Sequence, residues 1–375
     1  MRVSTRLAGA AAAAVAVLLS TPGVPAHAAS DREGPQHAVF VQNNNPSANA
    51  IAAYHRNQDG TLTPAGTFAT GGRGGRAGGS GSDPLASQGS LLFIPGHSLL
   101  VAVNAGSDSI SAFRVRGDQL HLEQVLPSGG SFPVSLGNHG DLLYVLNAGG
   151  TGTVSGFRIE DAGLEPIPGS TRSLGLANAP TPFFLSSPAQ VGFTPDGHDL
   201  LVTTKTHSQV DVFRVGSGGE LSAAPVVNAV PGVPFAFLFV GNELALVNAA
   251  GSSVATYEVN RDGTLTQDRA PVGDGRAAAC WIVRVGNSEF VDNTGSNDVS
   301  QYRVGADGSV TLVNPVAASG IAGAIDAAGA DRFLYVQAGL DGTVSGFRVG
   351  EDGSLTFLQT LAVPFGASQE GIVAG

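Results

Sequence analysis

Glu370, Lys205 and His207 are the side chains whose types best suit bond-breaking chemistry in this sequence of 375 residues. A carboxylate at Glu370 can take a proton from water as it attacks a carbonyl carbon, while a cation at Lys205 draws charge onto the carbonyl oxygen. His207, two residues further on, can exchange a proton near neutral pH. Lys205 is the one lysine in the chain, at a place where three related segments carry Asn104, Asn147 and Asn248. Those asparagines read as turn formers. Arg73, Arg76, Arg172 and Arg276 supply cations for an anionic ligand, and Gln88, Gln190 and Gln369 supply amides near the same face. Asp108, Asp274, Asp298 and Asp341 share that face and weaken its field.

Arg73 and Arg76 lie in the stretch TGGRGGRAGGSGSDP, residues 70–84. Such a run either folds over an anion with its N–H groups or stays a solvated loop. It is not a nucleotide phosphate loop, because no G-K-[ST] follows. Cys280 and Trp281 sit among apolar neighbours and read as packed core residues. No G-x-S-x-G elbow and no Cys–His–Asp order supports acyl-enzyme chemistry. The eight His are scattered without H-x-x-x-H spacing and no Asp cluster has calcium-loop spacing, so neither a metal nor a cofactor is expected.

The elements that must position these side chains come from a repeat. The phrase TVSGFR occurs at residues 153–158 and again at 343–348. Aligning on it recovers seven segments, each an apolar strand, a small-residue turn, a second strand ending in an aromatic, and usually an Asp-Gly-like turn. The aromatic falls at Tyr54, Phe113, Phe157, Phe213, Tyr257, Tyr302 and Phe347, with spacings of 59, 44, 56, 44, 45 and 45. A β-rich period near 45 predicts an all-β, seven-bladed β-propeller with four-stranded blades, and the two long spacings mark insertions. With 53 glycines and 13% charged residues, the composition agrees with tight turns and buried sheet.

An innermost strand precedes six of the segments, as in PAQVGFTPDG from Pro188 and AAACWIVRVGN from Ala277. The first segment has none before it, while ASQEGIVAG from Ala367 is left over and resembles ASQGSLLF from Ala86. The C-terminal strand is therefore expected to complete the N-terminal blade and close the ring, leaving no sheet edge. Inner strands would begin, and insertions occur, on one face of the ring, and the functional site is expected there.

Residues 1–29 read as a secretory signal peptide: Arg2 and Arg6, an apolar run, then small residues ending in Ala26-His27-Ala28. Residues 30–375 then form one propeller domain, secreted and monomeric, without a membrane span after cleavage. Removing Arg2 and Arg6 from 19 basic side chains leaves 17 against 30 acidic, a formal charge of −13. Such a chain repels nucleic acid and anionic membranes. Its one cysteine permits no internal disulfide, so stability must come from packing.

The combination of FTPDG (Phe193 to Gly197), LLVTT or LYVLN, NAGSDSISAFRV and a D-G-x-L turn resembles the seven-bladed lactonase family, which includes 6-phosphogluconolactonases and carboxymuconate cyclases. The resemblance covers essentially all of residues 30–375. It implies a propeller and hydrolysis of a small anionic lactone at the channel mouth. Family members commonly carry His, Arg and Glu on inner strands facing the channel, whereas the corresponding strand here has Gln190. The alternative is a non-catalytic propeller that uses that same face to bind a small anionic ligand, a cell-wall component or other extracellular polymer, or a protein partner.

Overall fold

A computed structural model describes residues 1–3, 37–161 and 163–375. The expected signal peptide lies outside the described residues apart from its first three. Seven antiparallel sheets follow one another, and in six the four strands run from the axis outward in chain order. Blade 2 is Leu91–Ile94, Leu99–Asn104, Ser109–Arg116 and Gln119–Pro127, and blade 4 is Pro188–Phe193, Asp199–Thr204, Gln209–Arg214 and Val226–Ala229. Blades 3, 5, 6 and 7 begin at Pro133, Pro234, Ala279 and Ala324. Blade 1 is the exception: Ala38–Gln42, Ala50–Arg56 and Leu62–Ala69 take their innermost partner, Ile372–Ala374, from the C-terminus. Each inner strand packs beside the next, and Ile372–Ala374 packs beside those of blades 7 and 2, so the ring closes through the C-terminal strand as expected.

Packing between blades holds the ring together. The second strands of blades 2, 4, 6 and 7 are buried along their whole length, whereas the outermost strands alternate towards solvent. All seven repeat aromatics are buried. Tyr54 of blade 1 clusters with Phe333 and Tyr335 of blade 7, and Phe113 of blade 2 with Ala38 and Phe40 of blade 1. Burying one such ring stabilises the fold by roughly 1.5–3 kcal/mol. Hydrogen bonds join the blades as well: Tyr144 Oη donates to Gly219 O at 2.6 Å, Tyr335 Oη to Gly60 O at 2.8 Å, and Thr256 Oγ1 to Gly308 O at 2.6 Å. The accepting glycines occupy the outer turns. Gly60 has φ +89°, and a Cβ there would overlap the Phe333 ring, which accounts for glycine at that turn.

Near their starts, the inner strands of blades 3 to 7 each carry a register shift. A bulge bends the strand and re-aims its side chains. These starts pair with the ends of the second strands, as Pro188 pairs with Thr204 and Ala279 with Asn293. Bulged residues and second-strand ends therefore meet at one level around one end of the channel.

Candidate functional site

At that level the connection from blade 1 to blade 2 turns inward. Its segment Asp83–Ser87, here called the strap, leaves the glycine-rich stretch and is buried from Pro84 onward. Side chains from several blades hold it. Glu370, just before the innermost strand of blade 1, accepts the Leu85 N–H at 2.6 Å and the Ser87 N–H and Oγ–H at 3.1 Å each. Ser87 Oγ also lies 2.8 Å from Val134 O on blade 3. From blade 4, Lys205 Nζ donates to Ala86 O at 2.5 Å, and from blade 6, Trp281 Nε1 donates to Ser87 O at 2.8 Å. Since blades 1, 3, 4 and 6 stand around the ring, the strap crosses the channel mouth. Ala86 adopts φ +57°, a left-handed conformation that a non-glycine residue keeps only where its surroundings hold it.

Beside the strap lies a cavity of about 330 Å³. Asp83, Lys205, Phe235, Cys280, Trp281 and Thr294 form its inner wall, with Phe184 and Leu185 from the blade 3 to blade 4 insertion. The wall is largely apolar. Phe235 and Trp281 meet edge to face at 4.9 Å, and Lys205 Nζ sits 5.2 Å from the Phe235 ring centre, within cation–π range.

Burial governs the charges. It lowers the Lys205 ammonium from 10.5 to about 8, although the charges of Asp83, Cys280 and Glu370 act in the opposite direction. Glu370 is held well above the usual carboxylate range, first by burial and then by the charge of Asp83, with which it shares a hydrogen bond. Burial also raises Asp83, while the bond from Glu370 and the charge of Lys205 favour its ionised form. Both carboxyls are thus held above their ordinary values and the pair retains a proton more tightly than a free carboxylate would, and it is Asp83 that lines the cavity. Burial, then Asp83, pushes the Cys280 thiol upward, away from the nucleophilic thiolate.

The structure brings together Glu370 and Lys205 but leaves the other residues singled out from the sequence elsewhere. His207 is exposed on the turn and does not line the cavity. Gln88 and Gln190 are staples. Gln88 exchanges two hydrogen bonds of 3.1 Å with the backbone of Ile282, and Gln190 two of 3.0 and 2.7 Å with that of Phe237. Each satisfies an N–H and C=O pair just beyond an inner-strand bulge. Gln369 donates to Ala338 O and Thr343 O.

The arginines do not converge on an anion site. Arg73 reaches Gly106 O, and Arg76 reaches Gly81 O, Ala367 O and Ser368 Oγ. Arg172 donates to Ser222 O, Leu221 O, Gly169 O and Thr171 O. Arg276 is paired with Asp298. The glycine-rich stretch itself packs on blade 1: a Cβ on Gly74 would overlap the Asn44 carbonyl.

One reading of the sequence changes. Lys205 does not stand at the asparagine position, because Thr204 pairs with Gln209 as Asn104 pairs with Ser109. Its counterparts are Ala105, Ala148 and Ala249, one residue later, and a shift of one residue exchanges the faces of a strand. Asp83, by contrast, is a site residue that the sequence does not mark. Its only local signal is Asp-Pro closing a glycine-rich run, because its partners lie far along the chain.

Among the described residues no group of three His, Cys, Asp or Glu is arranged to hold a metal ion, and no helix is long and apolar enough to cross a membrane.

No family model matches the sequence, and no curated protein matches it. Solved structures do resemble it. A protein from Lactobacillus plantarum superposes with a TM-score of 0.69 and 22% identity, covering 87% of this chain and 96% of its own. A candidate 6-phosphogluconolactonase from Bacteroides fragilis gives 0.69 and 18%, over 89% and 97%. The periplasmic gluconolactonase of Pseudomonas aeruginosa gives 0.66 and 20%, over 89% and 98%. At these identities the likeness is one of fold alone: the chain is a seven-bladed β-propeller whose structure is similar to these proteins.

Proposed function

We propose that the cavity beside the strap is the substrate site of a lactonase-like hydrolase. The observation that carries this reading is the convergence of Lys205 with the Asp83–Glu370 pair at one apolar cavity in the channel mouth. A lactone ring lying against Phe235 and Trp281 would present its carbonyl oxygen to Lys205. Asp83, the carboxyl on the cavity wall, is the base that takes a proton from the attacking water, and a proton from the Asp83–Glu370 pair then serves the leaving ring oxygen. The ammonium stabilises the oxyanion in a site of low dielectric. A fold shared with a named gluconolactonase supports the class of reaction.

The substrate inferred from these walls is a small lactone with one polar edge. Lys205 is the only cation on the cavity wall among the described residues, so any anionic group must be read by it. Export by residues 1–29 would place the activity outside the cell, and recovery of a shortened chain from the culture medium tests that part. For the chemistry, the test is acid release from a panel of aldonolactones and aryl-substituted lactones. Loss of turnover in folded Lys205→Met and Asp83→Asn proteins is expected. The second reading, a ligand-binding propeller, draws on Glu370 being fully buried as a tether of the strap. Saturable binding with no turnover on any lactone would favour it.

A further inference from the structure

Lys205 is an unusual tether. Its amine has one acceptor, Ala86 O, and otherwise faces the Phe235 ring, with no carboxylate in ion-pair contact among the described residues. Elsewhere the chain ties backbone carbonyls with arginine, as Arg76 and Arg172 do. Arginine offers five donors in a fixed fork and cannot give up its charge, so it suits a purely structural role better. The one lysine of the sequence is instead buried on the wall of a cavity, with a proton-holding carboxyl pair beside it.

We infer that Lys205 is an imine-forming amine, and that the cavity captures a small aldehyde or ketone as a reversible Schiff base. The inference does not rest on hydrolysis. A neutral Nζ keeps its hydrogen bond to Ala86 O and turns its lone pair to the cavity. That pair forms the C–N bond to the carbonyl carbon, and the nitrogen proton passes to the oxygen, giving a carbinolamine. The hydroxyl then leaves as water on a proton from the Asp83–Glu370 pair while the nitrogen lone pair forms C=N, and the iminium proton returns to the carboxylate. One water is released per imine, with no oxidant or reductant. Burial, which lowers the affinity of Lys205 for a proton to about 8, keeps a useful neutral fraction near neutral pH.

The single lysine makes the test direct. The full chain is incubated with benzaldehyde and sodium cyanoborohydride, which reduces an imine to a stable benzylamine, and the label is mapped by peptide mass. Benzylation of Lys205 is expected about tenfold or more faster than that of the α-amino group, slowed about tenfold in Asp83→Asn and absent at this position in Lys205→Arg. Lys205 labelled no faster than the α-amino group, or only after denaturation, overturns the inference. An unchanged rate in folded Asp83→Asn overturns the part given to the carboxyl pair.

Discussion

Lys205 and Glu370, from blades 4 and 1, hold one three-residue segment between them: Lys205 donates to the Ala86 carbonyl, and Glu370 accepts the N–H groups of Leu85 and Ser87 on either side of it. The groups best suited to chemistry are therefore also the ones that hold the strap across the channel. Any substitution there has a stability effect and a functional effect, and the two need separate measurements.

Glu370→Gln separates them in part. An amide offers one oxygen where the carboxyl group has two, so in either orientation the Leu85 or Ser87 N–H faces a donor. A loss of about 1–3 kcal/mol in urea unfolding is expected. Circular dichroism should still report an intact sheet.

Lys205 should give hydrolysis and aldehyde capture opposite pH dependences. Asp83, Glu370 and Cys280 are the titratable groups that act on it, and burial outweighs them to place its transition at about 8. Polarising a carbonyl needs the cation, so lactone turnover should fall as pH rises through about 8. Forming an imine needs the free amine, so reductive labelling should rise over the same window. The two profiles, taken on one preparation, check this.

Asp292 is buried in the second strand of blade 6, and neither of its carboxyl oxygens has a hydrogen-bond partner. Burial and then the charge of Asp326 raise it well above 3.8. The folded state therefore holds its proton more tightly than the unfolded chain. Its contribution to stability is complete below the unfolded value of 3.8 and is lost progressively as pH rises towards the folded value. Asp292→Asn cannot ionise. Its unfolding free energy should exceed that of the wild type by a margin that grows between about pH 5 and about pH 8, reaching about 1–3 kcal/mol. Asp326, raised by burial to about 8, leaves both proteins a residual slope of the same sign. Urea titrations at the two pH values decide it.

Gln88→Leu and Gln190→Leu should behave as structural lesions. Each removes two hydrogen bonds to an inner strand and leaves an N–H and a C=O without partners, at a cost of about 1–3 kcal/mol. Thermal unfolding should shift down in both. Turnover per folded molecule should change far less than in Lys205→Met.

The fold was legible because it is written seven times. Aromatic spacing, glycine turns and an unmatched C-terminal strand were each visible locally, and ring closure followed from counting strands. The site is written once and across the chain. Glu370 meets Leu85 over 285 residues and Lys205 meets Ala86 over 119, distances over which no local pattern speaks. The glutamine staples were hidden for another reason: they depend on bulges that re-aim one N–H and one C=O. Lys205 reads one residue out of register because LLVTTK and LLVAVN match best by composition with Leu200 set on Leu99, whereas the strands pair with Asp199 in that position.

The most direct test is initial-rate hydrolysis across the lactone panel by the wild type, Lys205→Met and Asp83→Asn, each checked for an intact sheet. Turnover of at least one lactone by the wild type is expected, with a loss of about a hundredfold or more in both variants. Wild-type turnover retained in both folded variants, or no turnover of any lactone by the wild type, would contradict the proposed hydrolysis.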